Sequence, residues 1–154
     1  MKKIAAVLTL ISLAFLIAAC ASQQTSNTEP ISANSIEEAF QDVYDEHRSG
    51  LILTGAKDYT VVRGDTLSGL ARKNYGDDNG YFFPLIMLAS SDVVLDPDLI
   101  EPGMELTVPD LPKNLDNPNA RKQLKEFLTD IAGIYGQKQK PEIQRDLLDL
   151  ANSL

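Results

Sequence analysis

The chain has 154 residues, 44% of them apolar and 23% charged, a balance that fits one modest folded domain with appendages and excludes a wholly disordered protein. Its 14 basic residues against 22 acidic ones give a formal charge of −8, which makes nucleic acid a poor partner. A single cysteine leaves no internal disulfide and no thiolate metal site, so the fold has to hold by its core alone.

Lys2 and Lys3 precede an uncharged apolar run from Ile4 to Ala19, the charged start and apolar centre of a secretory signal. The run is about as short as a membrane-spanning helix can be. It ends in "LIAAC", where small Ala18 and Ala19 lead into Cys20. This arrangement resembles the lipobox of bacterial lipoprotein signal peptides. The resemblance implies cleavage before Cys20, a diacylglycerol on its thiol and an acylated new amino terminus, hence attachment to a lipid bilayer. The alternative is a free thiol at the end of an uncleaved membrane helix. Residues 1–19 are thus expected to be a signal peptide and residues 20–34 a lipidated, flexible tether, since "ASQQTSNTEP" carries no charge before Glu29 and nothing to anchor a core. Ala21 rather than Asp after the cysteine favours the outer membrane, periplasmic side, under enterobacterial-type sorting. Loss of Lys2 and Lys3 takes the formal charge to −10.

Ile36, Phe40, Val43, Tyr44 and His47 recur at the spacing of one helical face and predict a helix over 36–48 within an N-terminal segment 35–50. Ser35 and Glu38 have the spacing of a capping box, and Gly50 is a stop. Residues 58–110 then read as strand (Tyr59 to Arg63), helix (Thr66 to Asn74), helix (Phe82 to Ser90) and strand (Glu105 to Val108). Two strands so short are expected to pair antiparallel with both helices on one face. Gly64 supplies a turn, Asp65 or Thr66 a helix cap, and Leu67, Leu70 and Ala71 an inward stripe. "YG" at 75–76 ends the first helix with a glycine suited to a left-handed cap, and Pro102-Gly103 has type II turn chemistry.

In residues 117–153 a helical pair is expected. Asn117 and Pro118 read as cap and first residue, and a stripe of Leu124, Phe127, Leu128, Ile131, Ile134 and Tyr135 ends at Gly136. A second helix starts at Pro141 and carries Ile143, Leu147, Leu150 and Ala151. Stripes at this spacing are expected to pack as core. Charge is uneven: residues 58–110 hold 3 basic and 10 acidic side chains, residues 111–154 hold 7 and 6. A strongly anionic ligand would be repelled by the central segment, a neutral sugar would not.

"YTVVRGDTLSGLA", "YG" and "DPDLIEPGMELTVP", in that order from Tyr59 to Pro109, resemble the LysM domain, a βααβ module that binds N-acetylglucosamine-containing glycans such as peptidoglycan and chitin. The resemblance implies a βααβ LysM module, which together with the one N-terminal and two C-terminal flanking helices expected from their apolar spacing makes an α+β chain. It places the sugar in a shallow groove between two loops, Gly64, Asp65, Thr66 and Leu67 on one side and Asp96, Pro97, Asp98, Leu99 and Ile100 on the other. Ser90 stands where family members commonly have Asn and is carried over as a contact. Glu101 stands where Tyr often precedes Pro-Gly.

An enzyme is not expected. His47 is the only histidine and sits on an apolar helix face, where packing is the usual role. The carboxylates are scattered over helix surfaces, and no phosphate loop, metal-ligand cluster or nucleophile constellation stands out. No cofactor is called for. The function expected is non-catalytic glycan binding that tethers the envelope to the cell wall. The alternative is an envelope scaffold whose helices dock a protein partner, which would need an apolar stripe left open.

Overall fold

The computed structural model describes residues 33–154, so the expected signal peptide, Cys20 and nearly all of the tether lie outside the described residues. The first helix, α1 (Ala33–His47), includes Ala33 and Asn34, and Ser35 therefore falls inside its first turn rather than at a cap. A 3-10 turn at Arg48–Gly50 closes the segment.

Next come β1 (Lys57–Thr60), α2 (Leu67–Tyr75), a 3-10 turn (Asp77–Phe82), α3 (Phe83–Ala89) and β2 (Glu105–Val108). The strands pair antiparallel, Lys57 opposite Val108 and Thr60 opposite Glu105. The first strand lies two residues earlier than the β-branched run suggests. Val61 still bonds across to Met104 and Gly103, but the Val62 N–H donates to the Asp65 carboxylate at 2.9 Å, which draws the chain out of the sheet. Thr66 is the cap of α2, its hydroxyl accepting from Gly69 N–H at 3.1 Å. Gly76 ends α2 at φ 104° and ψ 156°, not the left-handed helical cap expected but a region that essentially only glycine enters.

The sequence reading overlooked α4 (Leu111–Asp116), which starts at the Asp110 cap with a proline in its first turn. Its Asn114 is 1% exposed. The Asn114 amide receives Ile52 N–H at 2.9 Å and donates to the carbonyls of Ile52 and Asp110, fastening the α1–β1 connection to the end of β2. The pair α5 (Pro118–Gln137) and α6 (Pro141–Ser153) follows, with the Asn117 side chain accepting from the N–H groups of Asn119 and Ala120. Gly136 does not end α5. A Cβ there would stand 2.6 Å from the Gln144 side chain of α6, so this glycine permits close helix packing. The stop lies at Gln139, which adopts φ 57° while Gln139 N–H bonds Gly136 O and Lys140 N–H bonds Tyr135 O, a Schellman ending with glutamine in the place usual for glycine.

All these elements share one core. Phe40 and Tyr44 of α1, Phe127, Leu128 and Ile131 of α5, Leu147 of α6 and Leu70, Leu85, Ile86 and Leu106 of the central unit are each at most 2% exposed. The aromatic rings touch in sequence, Tyr44 with Phe127, Phe40 with Tyr135 and Tyr135 with Phe83, their centroids 6.0–6.3 Å apart. His47 is buried, its ring lies tilted against Phe127 with centroids 5.5 Å apart, and it pairs through Nε2 with Asp130 of α5 at 2.8 Å. The stripes of α1 and α5 are thus largely spent inside the protein, while Ile143 and Leu150 of α6 stay half-buried. No helix among the described residues is long and apolar enough to cross a membrane.

A polar latch ties the α5–α6 connection to the loop before β2. Lys138 Nζ lies 2.6 Å and 2.7 Å from the two oxygens of Asp96 and 2.6 Å from Asp98, and Lys140 Nζ lies 2.6 Å from Asp98. Lys138 and Asp96 are almost sealed, 12% and 14% exposed. Burial pushes the Asp98 carboxyl up, but hydrogen bonds and charge from the two lysines outweigh it and hold the group below its ordinary range.

Truncating a buried Phe costs about 3–5 kcal/mol, so Phe127→Ala should lower the melting temperature sharply; a wild-type melting curve would mean that the α5 stripe is not core. The latch makes an acid-side prediction. Because the folded-state value of Asp98 is depressed, its contribution is full above the unfolded value of about 3.9 and disappears as pH falls through the lower folded value. Stability should therefore decline below about pH 4. Lys138→Met should destabilise at neutral pH by up to about 3 kcal/mol, since it strips the partner from a nearly buried carboxylate. In that variant the acid-dependent loss measured by denaturant titration should be smaller; an unchanged pH profile would contradict the latch.

Candidate functional site

The antiparallel register carries both predicted loops to the Thr60–Glu105 end of the ladder. On one side the chain leaves β1 through Gly64, at φ 94°, in a turn where Asp65 N–H bonds Val62 O at 3.1 Å. The Asp65 carboxylate is fixed twice, by Val62 N–H and by the Tyr59 hydroxyl, each at 2.9 Å. On the other side Asp96 receives Asp98 N–H at 2.9 Å, and Leu99 N–H bonds Asp96 O at 3.0 Å, a compact turn that the Lys138 and Lys140 latch holds from below.

Between the loops lies a cleft of about 330 Å³. Asp65, Thr66 and Leu67 line it from the first loop, and Pro97, Asp98 and Ile100 from the second. Gly64, Asp96 and Leu99 do not line it: Gly64 forms the turn, Asp96 is occupied by Lys138, and Leu99 points to solvent at 61% exposure. Ser90 is placed elsewhere altogether. It is 5% exposed, and its hydroxyl accepts from Thr107 N–H at 2.9 Å, stitching the end of α3 to β2.

The remaining lining was not foreseen. Ser68 and Arg72 come from one face of α2, Gly80 and Tyr81 from the 3-10 turn, Phe83 from α3, and Tyr135 and Ile143 from the C-terminal pair. Ser68 and Arg72 stand four residues apart, a helical neighbour relation legible from the first loop onward. The contribution of α5 and α6 had no local signal. Tyr81 donates to Asp146 of α6; that hydrogen bond, with burial and the Asp146 charge, raises the phenol pKa. Burial also raises the phenol of Tyr135, with further push from Asp98 and Asp96, so this ring offers the cleft an uncharged surface. The cleft has an aromatic and aliphatic floor and loop backbone at its rims, suited to a small polar ligand with an apolar face.

Other concavities are separate. One of about 460 Å³ opens at the opposite end of the ladder, around Lys57, Tyr75, Asp110 and Leu111, and none of the loop residues reaches it. Glu46, His47 and Asp130 bring three atoms of metal-ligating type within 4.8 Å of one another, and here the His47–Asp130 hydrogen bond joins two of the three.

Comparison with known proteins bears on the central unit. Two curated proteins named as esterases, from two strains of Mycobacterium tuberculosis, are each 40% identical to the chain over 60 residues, which make up 39% of this chain and 12% of theirs. The chain therefore spans about an eighth of the length of these relatives. No solved structure matches. Residues 59–109, from β1 through β2 to Pro109, match the LysM domain family, and the protein is a LysM-containing one.

Proposed function

We propose that the protein is a lipid-anchored envelope component that holds N-acetylglucosamine-containing glycan, peptidoglycan in the first instance, in the cleft between the two LysM loops without cutting it. The observation that carries the reading is that both loops line one cleft, with apolar rings beneath and backbone groups at the rims. An N-acetyl group offers an amide donor, a carbonyl acceptor and a methyl, and such a surface can meet all three. Cys20, behind the charged start and apolar run, supplies the anchor, and the polar tether gives reach from the membrane to the wall. The outer membrane, facing the periplasm, is the proposed site of attachment.

Binding rather than ester hydrolysis is the reading that this chain's own residues support. A hydrolytic nucleophile needs a base within hydrogen-bond reach. The one histidine is buried between α1 and α5 and bonded to Asp130, away from the cleft. A docking role for the helices would need an open apolar face, and the faces of α1 and α5 are closed on each other.

Ser68→Trp should fill the cleft with an indole and abolish retention on insoluble peptidoglycan while the melting temperature stays near wild type; retention that survives would place the glycan elsewhere. Metabolic labelling with a fatty-acid analogue should tag the wild-type protein and not Cys20→Ser, and equal labelling of the two would remove the anchor from this proposal.

A further inference from the structure

Three charged groups line the cleft, Asp65, Arg72 and Asp98, and two of them are already committed. Asp65 accepts from the Tyr59 hydroxyl and Val62 N–H. Asp98 accepts from Lys138 and Lys140, so its charge is met within the protein. Arg72 forms no ion pair among the described residues. Its side chain is exposed and lies over the backbone of buried Gly80. A Cβ at Gly80 would come 2.9 Å from Arg72 Nε and 3.3 Å from Cζ.

We infer that the cleft selects a glycan bearing a carboxylate next to its sugar ring, with Arg72 receiving that carboxylate. The inference rests on the glycan-binding reading of the cleft and names the ligand class more narrowly. A guanidinium matches a carboxylate with two parallel hydrogen bonds, and these are stronger than neutral ones. A neutral chitin-type chain offers Arg72 only hydroxyl and amide-carbonyl oxygens, weaker acceptors for a guanidinium than a carboxylate. The excess of acid in residues 58–110 repels anions at long range, but at the cleft Asp98 is neutralised by two lysines that the central segment does not itself contain. A lactyl acid on the sugar and the free carboxylates of a peptide stem attached through it both supply the chemistry.

The test measures affinity of the full chain for four sugars by calorimetry. One is a disaccharide of N-acetylglucosamine and N-acetylmuramic acid with a free lactyl acid. The second carries a peptide stem with a free carboxylate, the third has every carboxylate capped as methyl amide, and the fourth is the neutral chitin disaccharide. The carboxylate-bearing sugar of the correct source should bind about tenfold more tightly than its capped form, as expected of one charge-assisted pair. Whichever of the first two shows that preference identifies the source. The ratio should shrink as ionic strength rises from about 0.05 M to 0.5 M. Arg72→Gln should bring the ratio close to one, and Gly80→Ala, which keeps the guanidinium but displaces it, should lower it too. Equal binding of charged and capped sugars, or a full preference in Arg72→Gln, overturns the role of Arg72 and leaves the glycan reading standing. Absence of binding to all four overturns the glycan reading itself.

Discussion

Lys138 is the residue on which the relation between the helical arms and the central unit depends. Its Nζ reaches both oxygens of Asp96 and one of Asp98, and lies 5.6 Å and 5.9 Å from the ring centroids of Phe40 and Tyr135. One ammonium therefore touches α1, α5 and the loop before β2. A lone lysine at this depth would be costly, but two carboxylates and two aromatic faces replace the water it gives up. The loop that rims the cleft is in turn held from the C-terminal side and not only from within residues 59–109.

That arrangement explains the uneven charge. Taken alone, the central segment carries ten acidic side chains against three basic ones, and self-repulsion at that density would loosen it. The surplus is met from outside: Lys138 and Lys140 on Asp96 and Asp98, Lys113 beside Asp110, and Arg48 on Asp92 at 3.2 Å. The exposed pairs among these contribute little to stability singly. Among these only the Lys138–Asp96 pair is nearly buried.

Where structure follows from neighbours along the chain, the sequence was a sufficient guide. The stripe from Leu124 to Tyr135, the Asn117 cap and the strand at Glu105–Val108 all rest on periodicity or on motifs a few residues long, whereas the meeting of "GDTL" with "DPDLI" is what the LysM resemblance implies. What escaped it was decided by contacts across the fold. Ser90 has the same sequence context whether it faces a sugar or Thr107, and only the approach of β2 settles the matter. Gly136 looks like a helix stop until Gln144 is seen against it. The short α4 has no stripe long enough to register, yet its Asn114 answers backbone groups some sixty residues away. The third wall of the cleft, Tyr135 and Ile143, belongs to the same class.

A two-stranded sheet of four-residue strands is marginal by itself, and a unit of about 60 residues buries only about 60% of the surface its unfolded chain exposes. Here the shortage is met by extending the core into α1, α5 and α6. The extension has a geometric consequence. Helices recruited to cover Phe83 and Leu85 must end somewhere, and α5 ends in the Gln139 turn beside the second loop, bringing Tyr135 and Ile143 into the lining of a groove that two loops alone would leave shallow. The same packing that supplies stability therefore also shapes the site. Residues remote from the family's motifs can alter what the cleft accepts, while substitutions within the motifs, such as those at buried Leu67, act first on the fold.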